Sequence, residues 1–319
     1  MGRVDALCIS PHKCTPKQGV PLATFLADGG IQADAHAGTW HRQVSILAAD
    51  DIEQVRRCGL PDLAFGAFAE NVVLAGVALD SLGLGSQLRL GTDVLLTITQ
   101  IGKACHEPCQ IQRVTGDCIM PRLGLFARVL TAGEVQVGNA AEVVQRIARD
   151  VIQAVVLTIS DRCWRGETVD TAGPAVAAQL RQSLKAHVYK VAVLPDEQSQ
   201  IAERLRHYSD GHSIDLVVTV GGTGWSPRDV TPEATREVVQ RLTPGLDEAM
   251  RAASLARTPY AMLSRGVSGI RESTLLINLP GSERAAVENL SAVLPSLTHG
   301  LAKLHGDPSD CGPPRSGCP

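Results

Sequence analysis

Residues 214–235, reading IDLVVTVGGTGWSPRDVTPEAT, join an apolar strand to a glycine-rich turn and then to a helix start. That order restricts the surrounding chain to folds in which a strand buried on both faces ends at a loop facing a ligand. Leu216, Val217 and Val218 form the unbroken aliphatic run of such a strand. Gly221, Gly222 and Gly224, with Thr223 among them, let the backbone turn sharply and come close to a bound group. Thr231 reads as an N-cap and Pro232 as the first helical residue, which would aim the positive helix end and its N–H groups at an anion. The spacing fits neither a Walker loop, which needs Lys followed by Ser or Thr, nor Gly-x-Gly-x-x-Gly. Arg228 and Asp229 stand instead just ahead of the helix, a cation for phosphate oxygens beside a carboxylate for a divalent metal. The bland alternative is a plain turn in which the two pair on the surface.

The flanking sequence favours a parallel sheet. Residues 151–159, 188–194 and 274–279 read as further strands, and 171–184, 197–208, 231–242, 246–256 and 282–294 as helices, with Ser282 capping the last. In such sheets ligands sit beyond the carboxyl ends of the strands. Four loops there carry polar residues: Ser160-Asp161-Arg162, Pro195-Asp196-Glu197, the glycine loop, and Pro280-Gly281-Ser282-Glu283. Asp196 also has an ordinary reading as the N-cap of the 197–208 helix.

Taken together, ISDR at 159–162, LPDEQ at 194–198, GGTGWSPRDVTPEAT at 221–235, LSRGVSGIR at 263–271 and NLPGS at 278–282 resemble the Mog-type molybdopterin adenylyltransferases. The resemblance spans about 151–306. It implies transfer of AMP from Mg-ATP to molybdopterin, with pyrophosphate leaving. The family's two critical aspartates fall on Asp196 and Asp229, placed on Mg²⁺ and the ATP phosphates. Ser160, Asp161, Gly221, Gly222, Thr223, Gly224 and Arg228 are expected on the nucleotide side. Ser264, Arg265, Ser268, Pro280, Gly281 and Ser282 are expected around the pterin and its phosphate, Arg265 foremost because guanidinium can hold phosphate through two donors. A surface salt bridge is the plain reading of Arg265. A homotrimer is also implied.

Upstream of about residue 147 the pattern changes. Short glycine-punctuated segments at 72–74, 87–90, 94–98, 126–130 and 134–137 read as strands of an all-β unit, and 50–58 as its main helix, after a strand-like 43–47. GIQADAHAG at 30–38, RQV at 42–44, FAEN at 68–71 and the 116–126 segment resemble the MOSC domain, with Ala69 where glycine is common. That resemblance implies a cysteine that carries sulfur as a persulfide or contacts the cofactor, and Cys109 fits best, with His106 and Lys103 near it in sequence to favour thiolate. For Cys105, His106, Cys109 and Cys118 three readings stand: a structural zinc site, inert buried thiols, or sulfur chemistry on Cys109 with Cys118 as resolving partner. Asp34, His36, Arg42, Glu70 and Asn71 form either a polar cofactor pocket or partners for buried backbone groups.

The fold expected is therefore α/β: a β-rich, barrel-like MOSC domain at 1–147, a three-layer α/β/α domain with a mostly parallel sheet at 148–306, and a flexible tail at 307–319. At 319 residues and 44% hydrophobic the chain can build two cores, filled by aliphatics since aromatics are 3%. A net charge of −3 with no basic stripe argues against nucleic acid and anionic membranes. No apolar run reaches a transmembrane length, and the N-terminus lacks signal-peptide regions, so a cytoplasmic protein with reduced thiols is expected. Pyridoxal phosphate is not expected. Two rival functions remain: a nucleotide pyrophosphatase on the same fold, and a non-catalytic protein that binds and delivers molybdenum cofactor to insertion or sulfurtransferase partners.

Overall fold

The structure, a computed structural model, describes residues 2–13, 15–103, 111, 118–211 and 213–308. The chain divides into two compact units, Met1–Val151 and Ile152–Pro319.

The first unit contains strands β1 (Gly2–Ile9), β2 (Gln18–Val20), β3 (Leu22–Leu26), β4 (Gly30–Ile31), β5 (Val44–Ala48) and β6 (Val72–Ala75). It continues with β7 (Gln87–Leu90), β8 (Val94–Ile101), β9 (Leu125–Thr131), β10 (Gly133–Gln136) and β11 (Ala140–Gln145). Hydrogen bonding runs β11-β7-β8-β9-β5-β6-β1, and β1 pairs back onto β11 at Gly2 and Arg3. This closed ring is the barrel expected from the sequence, and closure leaves its strands without open edges. A smaller antiparallel sheet, of order β10-β3-β4, touches the ring at β9 and β8. Helix α1 (Ala49–Arg57) buries Ile52 in a cluster with Leu47, Phe68 and Phe126. A single turn, α2 (Met120–Leu123), adds Met120 to the same cluster.

The second unit is a six-stranded sheet among the described residues. Its strands are β12 (Gln153–Ile159), β13 (His187–Leu194), β14 (Leu216–Val220), β15 (Arg241–Leu242), β16 (Ser268–Arg271) and β17 (Thr274–Leu279), in spatial order β13-β12-β14-β17-β16-β15. The first four of that order are parallel; β16 and β15 add an antiparallel edge. Every residue of β12, β14 and β17 is buried, as the aliphatic runs require of strands covered on both faces.

Helices α3 (Asp161–Trp164), α4 (Ala172–Ser183), α5 (Gln198–Gly211), α6 (Thr231–Val238), α7 (Pro244–Leu255) and α8 (Glu283–Leu304) complete the layers. Val176 and Leu180 of α4 and Leu290, Val293 and Leu297 of α8 pack with Val156 and Val218. Alternation along the strands sends Val155 and Val217 to the other face. There α5 and α6 run beside β14 and β17 and bury Ile201, Leu205, Ala234 and Val238.

Two expectations need correction. The helix over 231–242 stops at Val238, because residues 241–242 pair with Ile270 and Gly269 as an edge strand. The last helix does not end before Pro295 but continues to Leu304, since Leu297 and Leu301 bury in the core and offset the hydrogen bond that proline removes.

Candidate functional site

The carboxyl ends of β12, β13, β14 and β17 meet in one place. Gly221 N–H donates to Leu279 O at 3.0 Å and Ser160 N–H to Leu194 O at 2.9 Å, so the loop backbones are tied pairwise. Gly221 and Gly222 take φ of 107° and 62°, left-handed values that disfavour any side chain. Space forbids one as well. A Cβ on Gly221 would lie 2.4 Å from Ile159 O, and one on Gly222 would lie 2.3 Å from the Thr231 hydroxyl and 3.1 Å from Asp196 Oδ1. Gly224 has another reason: a Cβ there would meet Asp229 Oδ2 at 2.9 Å. Gly222→Ala is expected to cost about 1–3 kcal/mol through backbone strain alone and to displace Asp196. Urea unfolding with ligand-binding measurements would check it.

The Asp196 carboxylate accepts the Asp161 N–H at 2.7 Å, while the Asp161 carboxylate accepts the Asp196 N–H at 3.1 Å. This exchange locks the β12 loop to the β13 loop. It also rules out the capping alternative for Asp196, because α5 begins after Glu197 and the Glu197 carbonyl accepts the Ile201 N–H. Burial pushes the Asp196 carboxyl above the ordinary aspartate range, and the negative charges of Asp161 and Asp229 push it the same way. Asp229 accepts the Ser226 N–H at 2.9 Å through Oδ2. Among the described residues, Asp196 Oδ1 and Asp229 Oδ1 have no hydrogen bond.

Arg228 and Asp161 are bound to each other. The guanidinium donates to both Asp161 oxygens at 2.8–3.1 Å and to Glu197 at 2.9 Å. Burial opposes ionisation of Asp161, but the Arg228 hydrogen bonds and the Asp196 N–H hold it below its ordinary range. Arg228 thus bridges two acids across the loops, and a phosphate must compete with them for it.

Arg265 is spent similarly. Its Nε donates to Gly224 O at 2.6 Å, Nη2 to Asp229 O and Nη1 to Glu233. It pins the glycine loop to the start of α6 and also lines a groove of about 470 Å³ with Trp225, Asp229 and Glu233. The plain salt-bridge reading is therefore part of the truth, since Glu233 is exposed enough to be a surface partner.

Thr231 and Ser268 depart from the roles the sequence suggested, whereas Ser282 caps its helix as expected. Thr231 is not an N-cap: helix α6 begins at Thr231 itself, and its buried hydroxyl donates to Gly221 O at 2.9 Å. Ser268 is fully buried and cannot face a pterin, because its hydroxyl and N–H both donate to Asp247, at 2.6 and 3.0 Å. Ser160 caps α3 by accepting the Cys163 N–H, and Ser282 caps α8 by accepting the Ala285 N–H. Gly281 lies against Gly221, where a Cβ would approach the Gly221 Cα to 3.3 Å, with Pro280 just before it. Ser264 lines a second cavity of about 400 Å³ with Arg236, Asp247, Arg251 and Arg265. Asp247, Glu233 and Glu197 were not foreseen. Glu233 and Glu197 sit inside the quoted motifs, whereas nothing in the α7 pattern distinguishes Asp247 from a solvated residue.

In the barrel unit, Cys105, His106 and Cys109 lie outside the described residues, as does the segment of the tail from 309 onward. Cys118 is buried at 5% exposure among Ile111, Ile119 and Met120, and the Cys109 with which it would pair lies outside the described residues. Glu70 accepts the Gly66 and Phe68 N–H groups, and Asn71 accepts from Ser45 and donates to Cys8 O. Both serve the barrel's backbone, not an open pocket. Asp34, at 0% side-chain exposure, receives Lys17 Nζ at 2.5 Å, and Lys17 was not foreseen. The Cys8 thiol is pushed up to about 12 by burial and then by Glu70, which makes it inert. Among the described residues no group of three or more His, Cys, Asp or Glu side chains is arranged to hold a metal.

Comparison with known proteins decides the family. Residues 155–299 match the probable molybdopterin binding domain family. Molybdopterin adenylyltransferase of Helicobacter pylori strain J99 is 41% identical over 153 residues, covering 48% of this chain and 87% of that protein. The chain belongs to this family. The Escherichia coli K12 molybdopterin adenylyltransferase is 40% identical over 152 residues, covering 47% of this chain and 77% of its own length. Gephyrin of Dictyostelium discoideum is 41% identical over 169 residues, covering 50% of this chain but only 23% of that protein, so the chain spans about a quarter of that relative. Residues 33–142 match the MOSC domain, and the family resemblance read from the motifs therefore holds in both halves. Among the described residues no helix is long and apolar enough to cross a membrane.

Proposed function

We propose that the second unit transfers AMP from ATP to molybdopterin. The observation that carries this reading is the pair Asp196 and Asp229, whose unused Oδ1 atoms flank a loop where no side chain fits at Gly222. Two carboxylates with open oxygens suit Mg²⁺, which is held by one or two carboxylates and completes its shell with water and substrate phosphates. When bound, that ion would neutralise charge on the transferring phosphoryl group.

The residues themselves supply position. A phosphate oxygen of molybdopterin forms the new bond to the ATP α-phosphorus as the bond to the pyrophosphate oxygen breaks, and in-line placement is the main demand. Gly221 and Gly222 admit the phosphates to the backbone, with Ser160, Asp161, Thr223 and Arg228 on the same side. Ser264 and Arg265 border the pterin side, together with Asp247 and Arg251 of the second cavity. Arg265 acts chiefly by holding the Gly224 and Asp229 carbonyls, and thereby the Asp229 carboxylate. We assign the active form to a homotrimer in the cytoplasm, serving metal-insertion or sulfurtransferase partners, with persulfide on Cys109 as the cargo of the barrel unit.

Incubation of the full chain with molybdopterin and Mg-ATP is expected to give adenylylated pterin and one equivalent of pyrophosphate. Pyrophosphate or phosphate released without pterin would indicate a hydrolase, and tight binding without turnover a carrier. The pH dependence is a second expectation. The ionised Asp196 is needed for the cation, and its raised folded value means that it protonates earlier as pH falls. The acidic limb of kcat/KM is thus expected above the ordinary aspartate value of about 3.9, in a pH–rate profile at subsaturating Mg²⁺. A limb at or below that value would contradict the assignment.

A further inference from the structure

The groove of about 470 Å³ beside the glycine loop holds two side chains to which phosphoryl transfer gives no task. Trp225 follows Gly224 in the loop and is 70% exposed. Among the described residues its ring has no aromatic or cationic neighbour and its Nε1 no hydrogen bond. Glu233 lines the same groove. Its Oε1 accepts from Arg265, while its Oε2 is buried and has no partner.

The backbone that carries Trp225 is fixed on both sides. Arg265 Nε donates to Gly224 O at 2.6 Å, Ser226 N–H donates to Asp229 Oδ2 at 2.9 Å, and Asp229 N–H donates back to Ser226 O at 2.9 Å. The indole therefore stands on a held loop, and covering it requires little further ordering of the chain. A flat ring gains most by stacking on such a face, and the gain is tolerant of the ring's identity. Glu233 adds a chemical demand. An ionised carboxylate only accepts, so its buried Oε2 calls for a donor, and left alone it bears an uncompensated desolvation cost. Arg265 is already committed to Oε1, Gly224 O and Asp229 O.

We propose that Trp225 and Glu233 form a subsite for a flat nitrogen heterocycle bearing an amino group, with the ring face on the indole and an amino N–H on Glu233 Oε2. Both substrates of the proposed transfer contain such a ring: the pterin with its 2-amino group and adenine with its 6-amino group. The subsite rests on the adenylyl-transfer reading for the choice of these two rings, whereas the ring chemistry follows from the indole and the carboxylate. Trp225 and Glu233 are thus specificity-determining residues, and Asp229 in the same groove sets the ring beside the carboxylate assigned to Mg²⁺.

Isothermal titration calorimetry of the full chain tests this without turnover, so its outcome and that of the pyrophosphate assay are read separately. The probes are 6-hydroxymethylpterin and α,β-methylene-ATP with Mg²⁺. Trp225→Ala, at an exposed position that the fold does not need, is expected to weaken one of them at least tenfold, and Trp225→Phe the same one less than threefold. The probe that weakens names the ring. In the parent chain the counterpart that carries an oxo group for the amino group, 6-hydroxymethyllumazine or α,β-methylene-ITP, is expected to bind at least tenfold more weakly. Glu233→Gln keeps an oxygen for Arg265 and puts an amide donor where Oε2 stood, so it is expected to erase that preference. No binding of either probe, binding of both unaltered in Trp225→Ala, or oxo and amino rings bound equally by the parent would overturn the proposal.

Discussion

Asp196→Asn is expected to lower the rate of pyrophosphate release by at least about 10²-fold while leaving the fold intact. The size follows from loss of a charge aimed at a transferring phosphoryl group inside a partly dehydrated loop cluster. The preserved fold follows from geometry, since an asparagine oxygen can still accept the Asp161 N–H that closes the two loops at 2.7 Å. Linkage gives a further sign. An acid whose folded value is raised binds its proton more tightly when folded, so its ionised form opposes folding at neutral pH, and that opposition fades as pH falls through the raised value. Asp196→Asn should therefore melt no lower than the parent at pH 7. Assay of pyrophosphate beside a thermal melt checks both halves: full activity, or inactivity with a lowered melting point, would remove Asp196 from the chemistry.

Lys17→Met is the second large expectation, and it acts on stability. Lys17 Nζ and the Asp34 carboxylate are both withdrawn from water, at 1% and 0% side-chain exposure, 2.5 Å apart. Burial lowers the Lys17 value, which marks the desolvation that the pairing must offset. Removing only the ammonium leaves a buried carboxylate with the Ser10, His36 and Asn71 donors but without its Lys17 charge partner. The cost is about 3–5 kcal/mol, read from denaturant unfolding followed by circular dichroism. Lys17→Met combined with Asp34→Asn should recover most of it, because the uncompensated charge is gone. A double variant as unstable as the single one would mean that packing, not charge, sets the loss.

The sequence-level reading reached the parallel strands and their loops because both-face burial demands continuous aliphatic runs, which β12, β14 and β17 display openly. It missed β16, whose Ser268-Gly269-Ile270-Arg271 lacks any such run and becomes a strand through its pairing with β17 and β15. Site residue types were legible through the glycine loop and its aspartates. Their partners were not. Whether Arg265 points to solvent, to a phosphate or to Gly224 O depends on a loop 41 residues away in the chain. Ser268 misled for the same reason: a serine in a binding motif looks identical whether its hydroxyl is open or committed to Asp247. Lys17 carries no local signal at all, and its meaning arises only when the barrel brings it to Asp34.

The pairing of Gly2 with Ala141 and Arg3 with Ala140 has a consequence for how such chains arise. A ring whose first and last strands are neighbours begins and finishes at one spot on its rim. Such a body can be spliced ahead of another gene's product, or moved within a chain, without reopening any strand pairing. The barrel is thus a self-contained body, to which a second unit can be attached with its ring left whole.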